Sequence, residues 1–213
     1  MSFKLPLALL GTLVLSLAAS ADPILAADVA PNANAGTVDF NATLGWSFTV
    51  NAPIDVTALG LWSYSFKGNL AQSHDVGIWD SDENLLTSAT VPPDGAGDPV
   101  ASIGNGTWFF VDLGSQVELD PGQTYYIGAV YLAGSPDDFD AGSIPITASD
   151  VNYIGGSEAD GSTSLTFPNL ADGPGGIFGP NFEFQQESTP EPGSLVLLGS
   201  GLVFLTRRSR RLV

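Results

Sequence analysis

The side chains able to do chemistry are few, and their spacing limits what each can do. His74 is the only histidine, and Asp75 follows it directly. On a strand, neighbouring side chains point to opposite faces, so this pair does not read as a general base with its orienting acid. A Ser-His-Asp relay would have to gather its other members from elsewhere, and no Gly-x-Ser-x-Gly elbow is present. His74 reads instead as a strand-edge residue that caps a turn. The absence of cysteine removes thiolate metal sites, a thiol nucleophile and disulfides. Asp80, Asp82 and Asn84 alternate as oxygen donors would around calcium, but without the Gly and bidentate Glu of an EF-hand. The stretch reads more simply as an exposed hairpin turn. Asp137, Asp138 and Asp140 form a second acidic group with the same two readings. Paired carboxylates for glycoside hydrolysis stay open, because their separation is set by the fold.

Aromatic residues offer a recognition chemistry. Val76 and Ile78 share one face of a strand and leave Trp79 on the other. In the same way Phe109, Val111 and Leu113 leave Trp108 and Phe110 opposite. With the first set facing a core, Trp79, Trp108 and Phe110 would form either an aromatic platform for a sugar ring or a surface covered by loops.

Positioning these groups falls to short strands separated by Gly, Pro, Asn and Asp. Strands are expected at Gly45–Val50, Ile54–Tyr64, His74–Trp79, Leu85–Val91, Thr107–Leu113, Val117–Leu119 and Thr124–Leu132. Weaker ones are expected near Ser143–Thr147, Ser164–Phe167 and Asn181–Gln185. Asp80–Asn84 and Asp120-Pro121-Gly122-Gln123 supply turns between them. No middle segment repeats its apolar residues with a helical period. The pattern predicts an all-β fold, an antiparallel β-sandwich or jelly roll, over residues 37–187. Residues 22–36, small and polar, read as a leader or linker.

Both ends read as addresses. Lys4, the apolar run Leu5–Leu17 and Ala19-Ser20-Ala21 have the three parts of a secretory signal peptide over residues 1–21, with Ala27 as a less well-formed alternative cut. At the other end Pro190-Glu191-Pro192 precedes the apolar run Ser194–Thr206 and then Arg207, Arg208, Arg210 and Arg211. Two prolines around one residue hold that stretch extended and outside any helix. The apolar run makes a transmembrane helix of about 20 Å, shorter than a hydrocarbon core of roughly 30 Å, which suits a transient anchor. The arginines hold its end on the cytoplasmic side. This layout over residues 188–213 resembles the PEP-CTERM sorting signal. The resemblance implies recognition by an exosortase-type processing enzyme, removal of the tail, transient residence in the inner membrane and delivery to the cell surface or beyond. It also implies a host that makes extracellular polysaccharide.

The middle is similar to an uncharacterised β-sandwich module that recurs in PEP-CTERM proteins. The likeness rests on Trp46-Ser47-Phe48-Thr49-Val50, Val56-Thr57-Ala58-Leu59-Gly60, His74–Asp80, Gln123–Gly128 and Phe178-Gly179-Pro180-Asn181-Phe182. Between Asp22 and Pro190 a single Lys, Lys67, stands against 22 Asp or Glu, a net charge near −21. A chain without a basic footprint does not bind nucleic acid. Its charge keeps an exported protein soluble, with cationic sugars or divalent ions as the alternative use. The expectation is a non-enzymatic surface or matrix protein associated with exopolysaccharide and needing no cofactor, calcium being the one candidate for that role. The competing expectation is a secreted carbohydrate-active enzyme or a calcium-assisted glycan-binding module.

Overall fold

The computed structural model describes residues 22–31, 35–64, 68–93, 99–173, 175 and 177–187. The expected signal peptide and sorting tail, with Pro190, Glu191, Pro192 and the four arginines, lie outside the described residues, as does Lys67. Among the described residues no helix is long and apolar enough to cross a membrane.

The chain is all-β. Its first strands are β1 (Ile24–Leu25), β2 (Ala27–Asp28), β3 (Ala35–Gly36), β4 (Ala42–Val50) and β5 (Ile54–Tyr64). Then come β6 (His74–Asp80), β7 (Leu85–Val91), β8 (Val100–Ser102), β9 (Gly106–Leu119) and β10 (Tyr125–Tyr131). The rest are β11 (Phe139–Ala141), β12 (Ile146–Thr147), β13 (Val151–Asp160), β14 (Leu170–Ala171), β15 (Ile177–Phe178) and β16 (Pro180–Gln186). Two curled sheets dominate, a five-stranded one in the order β1-β16-β5-β9-β8 and a six-stranded one in the order β14-β13-β4-β10-β6-β7. All of their strand pairs are antiparallel.

Alternation decides which side chains meet. Leu44, Trp46 and Phe48 of β4 and Val76 and Ile78 of β6 turn inward, with Ile127 and Ala129 of β10 in register beside them. Phe182 of β16 meets them from the other sheet, 5.0 Å from Phe48 and stacked 6.0 Å from Trp46. The Trp46 indole donates to the Pro180 carbonyl at 2.8 Å, tying the sheets by a hydrogen bond as well as by packing. Tyr125 opens β10 with its hydroxyl on the backbone of Asp120, accepting from N–H at 2.9 Å and donating to the carbonyl at 3.2 Å. That tyrosine corner fixes the turn whose chemistry Asp120-Pro121-Gly122 announces.

Four expectations about elements change. Within the expected leader, the described residues 22–31 and 35–36 contribute strands: β1 pairs with β16, β2 with β12 and β3 with β11, and Ala26, Ala27 and Val29 are buried. The runs Thr107–Leu113 and Val117–Leu119 form one strand, β9, whose register against β5 jumps from Ala58↔Asp112 to Val56↔Val117 across a bulge. Strand β13, not foreseen, lines the whole of β4. Residues 164–167 form no strand and instead cross the outside of the six-stranded sheet.

Candidate functional site

His74 begins β6 with its ring 4.9 Å from that of Tyr131, and it is 1% exposed. Its Nδ1 lies 2.7 Å from the Val130 carbonyl and its Nε2 2.9 Å from the Asp137 carboxylate. Both ring nitrogens therefore face acceptors, an arrangement that the doubly protonated ring satisfies by donating twice. Asp137 also accepts from the backbone N–H of Ala71 at 2.6 Å and of Gln72 at 3.1 Å. Burial pushes the Asp137 carboxyl up. The hydrogen bonds from His74, Ala71 and Gln72 and the charge of His74 outweigh it, and the carboxyl ends below its ordinary value. This clasp joins the loop before β6 to the loop after β10. It has no nitrogen left to take a substrate proton. Among the described residues, which include no Lys or Arg, His74 is the only side chain able to carry positive charge.

The acidic groups serve the backbone. Asp80 accepts from the N–H groups of Asp82 and Asn84 and from the Asn84 amide, each at 2.9 Å, and these bonds hold its carboxyl below the ordinary value. The Asp80–Asn84 stretch is thus a hairpin turn built around Asp80, with Glu83 in the left-handed region at φ 66°. Asp137, Asp138 and Asp140 are all buried rather than grouped at an open surface. Asp140 accepts from the Ser143 hydroxyl, and the Asp138 carbonyl accepts from Tyr131 at 3.3 Å.

The three rings of the expected platform do not come together in the open. Trp79, Trp108 and Phe110 are 4%, 0% and 5% exposed. Trp79 belongs to the six-stranded sheet and the other two to the five-stranded sheet. Each lies on the side of its sheet turned away from the shared core, so the thickness of the domain separates them. Two straps cover them. The N-terminal segment covers Trp108, whose indole donates to Asp28 at 3.0 Å. Asp28 also accepts from Val29 N–H, the Ser102 hydroxyl and Ile103 N–H, which bolts the segment to the β8–β9 turn.

Residues 162–168 form the second strap, which covers Trp79. The Phe167 ring stands edge-on to Trp79 at 6.2 Å and to Tyr126 at 4.7 Å. Beneath the strap, Gly45, Gly128 and Gly77 are in register across β4, β10 and β6. A Cβ on Gly77 would lie 2.8 Å from Leu165, and one on Gly128 would lie 3.5 Å from Pro168. At Gly77 the strap thus occupies room that a side chain would need, while at Gly128 Pro168 rests at ordinary contact distance. Sequence reasoning missed Asp28 and the reach of Asp137 to His74. The three mid-strand glycines were the available signal for a close backbone approach.

The first and last strands of the described residues lie side by side. Strand β16 closes the described chain and β1 opens it, and they are antiparallel neighbours with Ile24 opposite Phe184. Glu187, Asp120 and Asp55 crowd Glu118 at this end and raise its carboxyl above the ordinary value. Pro190 stands four residues past Gln186, at most about 14 Å of extended chain. A family model for the PEP-CTERM protein-sorting motif matches residues 188–211. The chain carries a PEP-CTERM sorting motif. That motif marks it as an exported protein sorted by an exosortase-type enzyme toward the cell surface. No curated protein matches the chain.

Proposed function

We propose that the mature protein is a non-enzymatic component of the cell surface or extracellular matrix, a β-sandwich released from its PEP-CTERM tail and associated with exopolysaccharide. The sorting motif at residues 188–211 carries this reading. The engaged histidine supports it, since the one imidazole is spent on joining two loops. So does the acidic domain, which repels its own copies and stays soluble outside the cell. In this reading a signal peptide begins export and the apolar tail is a temporary hold in the inner membrane. In this reading the Asp80 turn is held without a metal, its carboxylate accepting three hydrogen bonds.

The test is fractionation of cells that make the protein, with polysaccharide-rich matrix separated from the soluble medium. The expected result is a tail-less domain enriched in the matrix and freed when the polysaccharide is digested. Release of sugar fragments from that polysaccharide by the purified domain would replace the reading with a carbohydrate-active enzyme. Addition of calcium is expected to leave Tm unchanged, and a rise would make the Asp80 turn a metal site.

A further inference from the structure

Beside the strap that covers Trp79, the outer face of the six-stranded sheet stays open. A cleft of about 420 Å³ lies there over β6 and the edge strand β7, lined by Asp75, Leu85, Ser88, Ala89, Thr90 and Leu165. Register explains the lining. Asp75 pairs with Thr90 and Gly77 with Ser88, so these residues share the face opposite to the buried Val76 and Ile78. A Cβ on Gly77 would lie 2.8 Å from Leu165 and 2.9 Å from Leu85, so the two leucines close over the glycine and make an apolar wall. Asp75, Ser88 and Thr90 are exposed, and Leu85 is 49% exposed.

The polar groups of the cleft are set to accept. The Thr90 hydroxyl donates to the Asp75 carboxylate at 2.6 Å. That bond spends the only hydroxyl proton of Thr90 and leaves its lone pairs and the other carboxylate oxygen as acceptors. The field around the cleft has one sign, with 22 acids against one Lys between Asp22 and Pro190, and it repels anions. A neutral sugar would leave the Asp75 charge without a counterpart. A donor-rich cation with an apolar flank answers both walls.

The geometry points to a cleft for an amino sugar with a free amine, carried on a polysaccharide. Its ammonium donates to Asp75 and to the Thr90 and Ser88 oxygens, and the C–H face of its ring lies on Leu85 and Leu165. The cleft sits at the rim of the sheet, where a polymer can continue past the domain. This inference rests on the exopolysaccharide reading above and names the sugar class within it.

Calorimetric titration of the full chain with a glucosamine oligomer, in buffer where its amines are charged, tests it against the fully N-acetylated oligomer of the same length. The first is expected to bind, and the second to bind roughly tenfold more weakly or not at all. Asp75→Asn keeps an acceptor for Thr90 and is expected to weaken the glucosamine oligomer roughly tenfold with Tm unchanged. Ser88→Arg brings a cation into the cleft and is expected to abolish binding. Asp82→Asn removes an exposed acid outside the cleft and is expected to leave binding as it was. Equal losses from Asp75→Asn and Asp82→Asn would reduce the attraction to diffuse charge and overturn the inference. Equal binding of the two oligomers, or of neither, would overturn it as well. The matrix association above stands or falls separately, on the fractionation.

Discussion

His74 and Asp137 are 63 residues apart in the chain, and their side chains bond to each other in the interior, with Val130, Ala71 and Gln72 taking further hydrogen bonds of the pair. Removing one member of such a pair leaves the other buried without its partner, at a cost of about 3–5 kcal/mol. His74→Ala is therefore expected to lower Tm by roughly 10 °C in a thermal melt, given a few degrees per kcal/mol for a domain of this size. Folded Asp137 holds its proton less tightly than the unfolded chain does. Its stabilisation is full above the ordinary carboxylate range and is lost as pH falls through its depressed folded value. Glu183 has the opposite sign. Burial and then the charge of Asp112 raise its carboxyl, so its ionisation at neutral pH opposes folding. Mild acidification should thus raise Tm as Glu183 takes up a proton, and stronger acid should lower it as Asp137 does. Glu183→Gln should raise Tm at neutral pH and flatten the first limb of that profile. None of this was legible beforehand. His74 read as a turn cap because its partner lies in a distant loop, and local spacing carries no record of loop packing.

At the scale of elements, the six-stranded sheet is shaped by what it lacks. Gly45, Gly128 and Gly77 stand in register across three strands, and the strap of residues 162–168 lies against Gly128 and Gly77. A methyl group on Gly45 would meet the Ile127 carbonyl and the Gly128 backbone, which have no flexible side chain to move aside. Gly45→Ala is expected to destabilise by about 1–3 kcal/mol, the usual cost of overpacking, measured by denaturant unfolding. Phe167→Ala should leave the sheet folded but uncover Trp79, read as a red shift in tryptophan emission and faster quenching by iodide.

Most strands were legible because half-buried antiparallel strands write their alternation into the sequence. The Ile54–Tyr64 and Leu85–Val91 strands have the bounds their residues predict. Strand β13 was not legible: Gly155-Gly156 and the acids Glu158 and Asp160 interrupt its alternation. It exists because β4 offers a complete edge, with a bulge between Tyr153 and Gly155 absorbing the mismatch.

Charge governs the whole molecule. With 22 acids against one Lys between Asp22 and Pro190, the folded domain concentrates like charge. Salt should therefore stabilise it: Tm is expected to rise between about 0.01 M and about 0.5 M NaCl, as the screening length falls from about 30 Å to a few ångströms. A Tm that fell or stayed level would remove self-repulsion as a determinant of stability. The sequence by itself determined the all-β class and the sorting motif. These depend on composition, on period-two alternation and on a contiguous tail, all of them local properties. Only the tertiary structure decided that Ile24–Leu25 and Ala27–Asp28 pair with distant strands, that Asp137 reaches His74, and that Trp79 and Trp108 lie under separate straps. Each of those depends on which distant segment covers an exposed face. Burial is settled by the packing of the whole chain, so alternation tells which side chains share a face but not what comes to lie upon it.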